Sequence, residues 1–179
     1  EGLSIYENAM AMPRAFVVSR VRQVNSHADA LAAMRDPLID LRLTAVIEPL
    51  PGSGQGMFNE SAAPAPPDNG ASATIIEDKR NRVVVETRID QDAVLVLSDN
   101  YYPGWRASVD GAPVEIYRAN STMRAVPIPA GRHVVSFEFM PSTLRFSVLL
   151  SLATAVALAA FLAVVSVRRK RRPLTSSDR

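Results

Sequence analysis

The chain has 179 residues, 47% of them hydrophobic, no cysteine and a formal net charge of +2. The positive balance is local: of 20 basic and 18 acidic residues, six and one lie from Arg168 onward, leaving 14 and 17 before it, a net charge of −3. A mildly acidic body argues against nucleic-acid binding, and the missing cysteines exclude a disulfide framework and thiolate metal sites.

In chain order, Ala15 to Val24 is rich in β-branched and aromatic residues and predicts a strand. His27 to Arg35 has Ala and Leu at helical spacing, with Ser26 as N-cap and Pro37 as a stop. Thr44 to Ile47 predicts a short strand. Pro49 to Ser72 is loaded with Pro, Gly, Ser and Ala and reads as a long surface loop. From there β-structure is expected throughout, in strands Thr74–Glu77, Arg82–Ile89, Ala93–Ser98, Arg106–Val109, Val114–Arg118, Met123–Ile128 and His133–Met140. The unbroken apolar run Ala93–Leu97 suits a strand covered on both faces. Val135, Phe137 and Phe139 alternate with Ser136 and Glu138, as on a strand with one wet face. Asp110-Gly111 marks a hairpin and Ala130-Gly131 a turn. Short strands with regular turn signals predict an antiparallel β-sandwich-like domain, mainly β with one short helix.

Phe146 to Val167 then runs for 22 residues without a charge. As a helix it is about 33 Å long, enough for a hydrocarbon core of about 30 Å. Arg168 to Arg172 follow it, and such a basic run is retained on the cytoplasmic side. The expected organisation is an extracytoplasmic domain (residues 1–48, the loop at 49–72, and β-strands over 73–141), a transmembrane helix at 146–167, and a basic cytoplasmic tail at 168–179. Neither a signal peptide nor another span occurs in residues 1–40, and the first residue is Glu1. The chain is therefore expected to be the C-terminal piece of a longer membrane protein, with membrane lipid and upstream spans of its parent as partners.

Chemistry is sparse. His27 and His133 lie far apart with no carboxylate at ligand spacing, so no metal or cofactor is implied. Asp90-Gln91-Asp92 matches a D-x-D pattern found in some glycosyltransferases, but carboxylates in turns commonly bond local backbone amides. Asn59-Glu60-Ser61 and Asn120-Ser121-Thr122 match the N-glycosylation pattern. The segment Ser98 to Trp105 gathers two tyrosines and the only tryptophan around a Pro-Gly turn. Aromatic faces stack on sugars, and Asp and Asn bond hydroxyls. Asp99, Asn100, Tyr101, Tyr102, Trp105, Arg118 and Asn120 are therefore candidate glycan or headgroup contacts. The competing reading makes Trp105 and a tyrosine plugs at the end of the sandwich.

Several motifs also carry a resemblance. Ile5-Tyr6-Glu7-Asn8 and Pro13-Arg14-Ala15-Phe16 are followed in order by Leu97 to Trp105, Val109-Asp110-Gly111, Ile116 to Asn120 and Val126 to His133. Together, over roughly residues 5–165, they are similar to the C-terminal part of YfhO-type bacterial membrane proteins. The loop at 49–72 and Met12, where leucine is usual, depart from the pattern. The resemblance implies a polytopic parent of the GT-C glycosyltransferase type, using polyprenyl-linked saccharides to decorate envelope polymers in the bacterial cytoplasmic membrane. Its catalytic acids would lie among upstream spans, so no catalytic residue carries over to this chain. The alternative is a single-pass, membrane-anchored β-sandwich that binds a glycan or protein partner without catalysis.

Overall fold

A computed structural model describes residues 6, 8, 11–48 and 71–170. Nearly all of the expected loop at 49–72, the start of the Ile5–Phe16 motif and the tail beyond Lys170 lie outside these residues. The chain divides into two compact units, Glu1–Met140 and Pro141–Arg179.

The first unit is mostly β. Its elements are β1 (Ala15–Val18), β2 (Arg20–Gln23), α1 (His27–Met34), β3 (Thr44–Glu48), β4 (Ser72–Lys79), β5 (Arg82–Ile89), β6 (Ala93–Asn100), β7 (Trp105–Val109), β8 (Ala112–Val114), β9 (Tyr117–Ala119), β10 (Met123–Ile128) and β11 (Gly131–Phe139). A six-stranded sheet has the order β1-β6-β10-β9-β3-β2, and a five-stranded sheet the order β4-β5-β11-β7-β8. Phe137, Val135, Val83, Val85 and Val109 of the second sheet meet Leu95, Leu97, Val126 and Ile128 of the first in one buried core. The sandwich reading holds.

Strand β6 shows why its sequence is apolar at every position. Leu95 and Leu97 point into the core between the sheets, while Val94 and Val96 join Phe16, Val18, Ala45, Ile47 and Tyr117 on the opposite face. That second core exists because the six-stranded sheet curls on itself. Its two edge strands, β1 and β2, are consecutive in the chain and separated by Ser19 alone. The single strand expected over Ala15–Val24 is thus two. The chain bends at Ser19 so that β1 can pair with β6 and β2 with β3.

Two further expectations need correction. The sheets are not wholly antiparallel, since β2 and β3 run in parallel. Helix α1 supplies the crossover that a parallel pair requires. The strand expected at Val114–Arg118 is also divided. Val114 ends a strand of the five-stranded sheet, Tyr117 starts one of the other, and Ile116 is buried in the core at the crossing.

Local signals explain the turns. Ser26 caps α1, its hydroxyl accepting from the Asp29 amide at 3.1 Å. Asp110 and Gly111 both take positive φ, 51° and 84°, as a two-residue hairpin between right-twisted strands demands.

The second unit is α2 (Ser142–Lys170), 29 residues long. Its stretch Ser147–Val164 has a mean hydropathy of 2.4 and is long and apolar enough to cross a membrane. Thr154 bonds the Leu150 carbonyl at 2.8 Å, satisfying its hydroxyl within the helix. Leu150, Leu152, Phe161 and Leu162 are all exposed, so this surface suits lipid or neighbouring helices rather than water.

Candidate functional site

The most concentrated polar chemistry lies where β6 ends and β10 begins. Asp99, on β6, receives Arg14 through Nε at 2.8 Å and Nη2 at 3.0 Å, and Arg124 through Nη2 at 2.7 Å. Arg14 also reaches Asp78 of the other sheet at 2.6 Å. Arg124 is the unusual member, with a side chain only 3% exposed. Its guanidinium lies 3.8 Å over the Trp105 ring, and its Nε and Nη1 have no hydrogen-bond partner among the described residues. Burial pulls the Arg124 pKa down, opposed by the Asp99 charge. The Arg14 hydrogen bond holds the Asp99 carboxyl below the usual carboxylate range, assisted by the charges of Arg124 and Arg14. The site is thus a two-arginine, two-aspartate clasp between the sheets, roofed by an indole.

The candidate contacts fall into three groups. Tyr102 is 63% exposed and tilts against Phe139 at 6.3 Å, and Trp105, half-buried, meets the same Phe139 ring at 5.5 Å. Asn100, at the end of β6, is also exposed. Tyr101 packs on the core and carries the Arg118 guanidinium 5.2 Å above its ring. Arg118 in turn pairs with the buried Glu48, which also faces His27 at 3.2 Å. Asp99 is engaged by two arginines, and Asn120 is 3% exposed with Oδ1 accepting from the Val46 amide at 2.9 Å. Tyr117 is buried too. Burial, with the hydrogen bond to Glu115, pushes its hydroxyl up to about 12.

Arg14, Asp78 and Arg124 were not among the expected site residues. For Arg124 a signal existed. In Met123–Ile128 it shares the alternation phase of Val126 and Ile128, both facing the core between the sheets, so a charge there was bound to be buried. Arg14 and Asp78 are 64 residues apart and show no local pattern.

Asp92 and Asp110 serve the opposite end of the sandwich. Asp92 accepts from the Ala130 amide at 2.9 Å, and Asp110 accepts from the Val134 amide at 2.8 Å. Asp92 and Asp99 are seven residues apart along the extended chain, about 23 Å, so they do not converge. Among the described residues no group of His, Asp and Glu has the geometry to hold a metal ion.

His133 stands between two acceptors, Asp110 Oδ2 at 2.6 Å from Nδ1 and the Ala130 carbonyl at 3.2 Å from Nε2. Both ring nitrogens can donate only when the imidazole is protonated. Gly131 permits the arrangement, having φ of 130° and no Cβ, which would stand 3.0 Å from His133 Nε2. The Asp110 hydrogen bond raises the His133 pKa above 6.5, and His133 lowers that of Asp110 below 3.8. The raised His133 pKa gives stability that is full below 6.5 and lost as pH rises through the folded value. The depressed Asp110 pKa gives stability that is full above 3.8 and lost as pH falls through its folded value. Melting of the wild-type chain from pH 6 to 9 should therefore show a decline that His133→Gln lacks; parallel curves for the two would remove the imidazolium from the account.

Residues 69–151 match the family described as bacterial membrane protein YfhO. The match starts just before β4 and continues through β11 into the first part of α2, consistent with a YfhO-type C-terminal region. No curated protein and no solved structure gives a significant match. The family match and the apolar helix together support membrane association of the chain.

Proposed function

We propose, from the YfhO match, that this chain is the non-catalytic extracytoplasmic domain and last membrane span of a lipid-linked-sugar glycosyltransferase acting in cell-envelope glycosylation. One observation carries the reading: the matched residues run without interruption from the β-sandwich into a helix apolar enough to span a bilayer. Asp92, Asp99 and Asp110 fit a non-catalytic role, since each is bound by a backbone amide or an arginine. The basic run behind the apolar stretch supports a cytoplasmic tail and an outside β-domain. In this reading the sandwich braces upstream spans or helps to position the acceptor, and the chemistry belongs to the rest of the parent.

The test is sugar transfer from a polyprenyl-phosphate-linked donor, comparing this chain alone with the complete parent protein. Transfer by the parent and none by the chain is the expected result. Transfer by the isolated chain would overturn the assignment and return attention to Asp90, Asp92, Asp99 and Asp110. A parent with a single signal peptide in place of many spans would equally exclude it.

A further inference from the structure

Two turns of the five-stranded sheet are fastened to the end of β11. The Phe139 amide donates to the Asn81 carbonyl at 2.9 Å, in the β4–β5 turn, and the Met140 amide donates to the Gly104 carbonyl at 2.7 Å, in the turn that carries Tyr102. Strand β11 is also the strand that continues through Pro141 into α2. Ser142 follows Phe139 by three residues, and three residues of extended chain reach about 10 Å at most. Both turns are thus fastened to the strand that leads, three residues on, into the apolar helix.

Their side chains share one chemistry. The β4–β5 turn presents Lys79, Arg80 and Arg82, and Arg106 stands opposite Glu138 on the neighbouring strand, all four cations exposed. Glu77 and Glu138 engage Lys79 and Arg82. Arg80 and Arg106 form no ion pair among the described residues, leaving the edge positive. Beside them Tyr102 is 63% exposed, Met140 is 42% exposed and Trp105 is half-buried. Tyrosine and tryptophan, with apolar bodies and polar tips, concentrate at membrane–water interfaces, and unpaired arginines attract anionic phosphates on whichever leaflet they face.

We infer that this edge docks on the membrane surface, with Arg80 and Arg106 taking the phosphates of anionic lipid headgroups and Tyr102 and Trp105 seated at headgroup level. The inference rests on the reading of α2 as a membrane span, and the occupant follows from charge complementarity and covalent continuity with that span.

Trp105 is the only tryptophan, so its emission reports on this edge alone. The full chain is reconstituted into phosphatidylcholine vesicles with and without phosphatidylglycerol, using acyl chains brominated near the headgroup. Flotation of the vesicles is followed in parallel. The expected result is co-flotation and quenching of Trp105 that deepens when phosphatidylglycerol is present. High salt should remove the increment, and so should Arg80→Gln combined with Arg106→Gln. A chain that fails to float overturns the membrane-span reading and this inference together. A chain that floats with Trp105 unquenched leaves the span standing and overturns the docking. Quenching indifferent to phosphatidylglycerol overturns the headgroup assignment.

Discussion

Asp99→Ala is expected to destabilise the β-domain by about 3 kcal/mol, the cost of leaving a buried cation without its counter-charge. Arg124 has a side chain 3% exposed, its Nε and Nη1 have no hydrogen-bond partner among the described residues, and Asp99 is the one carboxylate among them that pairs with it. The Arg14 pair cannot account for an effect of that size, because Arg14 is 40% exposed and exposed pairs contribute about 0–1 kcal/mol. Stacking on Trp105 at 3.8 Å survives the substitution, so it cancels from the difference and the loss is that of the counter-charge. Removing the cation should therefore cost less than removing its partner. Arg124→Met fills the same space without a charge, and substitution of buried ion pairs by apolar residues is often neutral or better. The combination Asp99→Ala with Arg124→Met should accordingly recover much of the stability that Asp99→Ala alone loses. Urea unfolding followed by Trp105 emission measures all three variants. A cost below about 1 kcal/mol for Asp99→Ala, or a double variant no better than the single one, would show that the clasp contributes little. The same carboxylate predicts acid sensitivity: its depressed pKa gives stability present above 3.8 and lost as pH falls through the folded value.

The legible and illegible parts of the fold divide along a physical line. Strands Arg82–Ile89 and Met123–Ile128 and the cap at Ser26 follow from local pattern, because alternation, β-branching and capping are properties of neighbouring residues. The unbroken run of β6 announced two covered faces and has them. The bend at Ser19 and the crossing at Glu115-Ile116 carry no glycine or proline at the break. They are set by which partner strand is free, and that is decided far away in the sequence. The aromatic segment around Trp105 was visible as a cluster with Arg118 among its candidate neighbours, but the Arg124 lid was not. Arg118 over Tyr101 and Arg124 over Trp105 come from strands β9 and β10.

Asn120→Ala should cost about 3 kcal/mol, although an Asn-Ser-Thr turn would suggest a harmless surface site. Two independent terms add. Asn120 adopts a φ of 47°, where a residue with a Cβ and no local polar help loses about 1–2 kcal/mol. Its Oδ1 also accepts the amide of Val46, a residue with no exposed surface, and its own amide donates to the Val46 carbonyl at 2.8 Å. Alanine leaves the Val46 amide unpaired in the interior, at about 1–3 kcal/mol. Glycine separates the terms, since it relieves the backbone strain but cannot supply the acceptor. Asn120→Gly is therefore expected to be less damaging than Asn120→Ala by about 1 kcal/mol, yet still clearly destabilised. Equal unfolding midpoints for the two would remove the backbone term, and a near-wild-type glycine variant would remove the Val46 bond. The same geometry bears on modification. The side-chain nitrogen is turned toward Met123 Sδ at 3.9 Å, and the residue is 3% exposed. An oligosaccharide can reach Asn120 only before the β9–β10 turn closes on β3, so the folded chain should resist glycosylation there and accept it only when denatured.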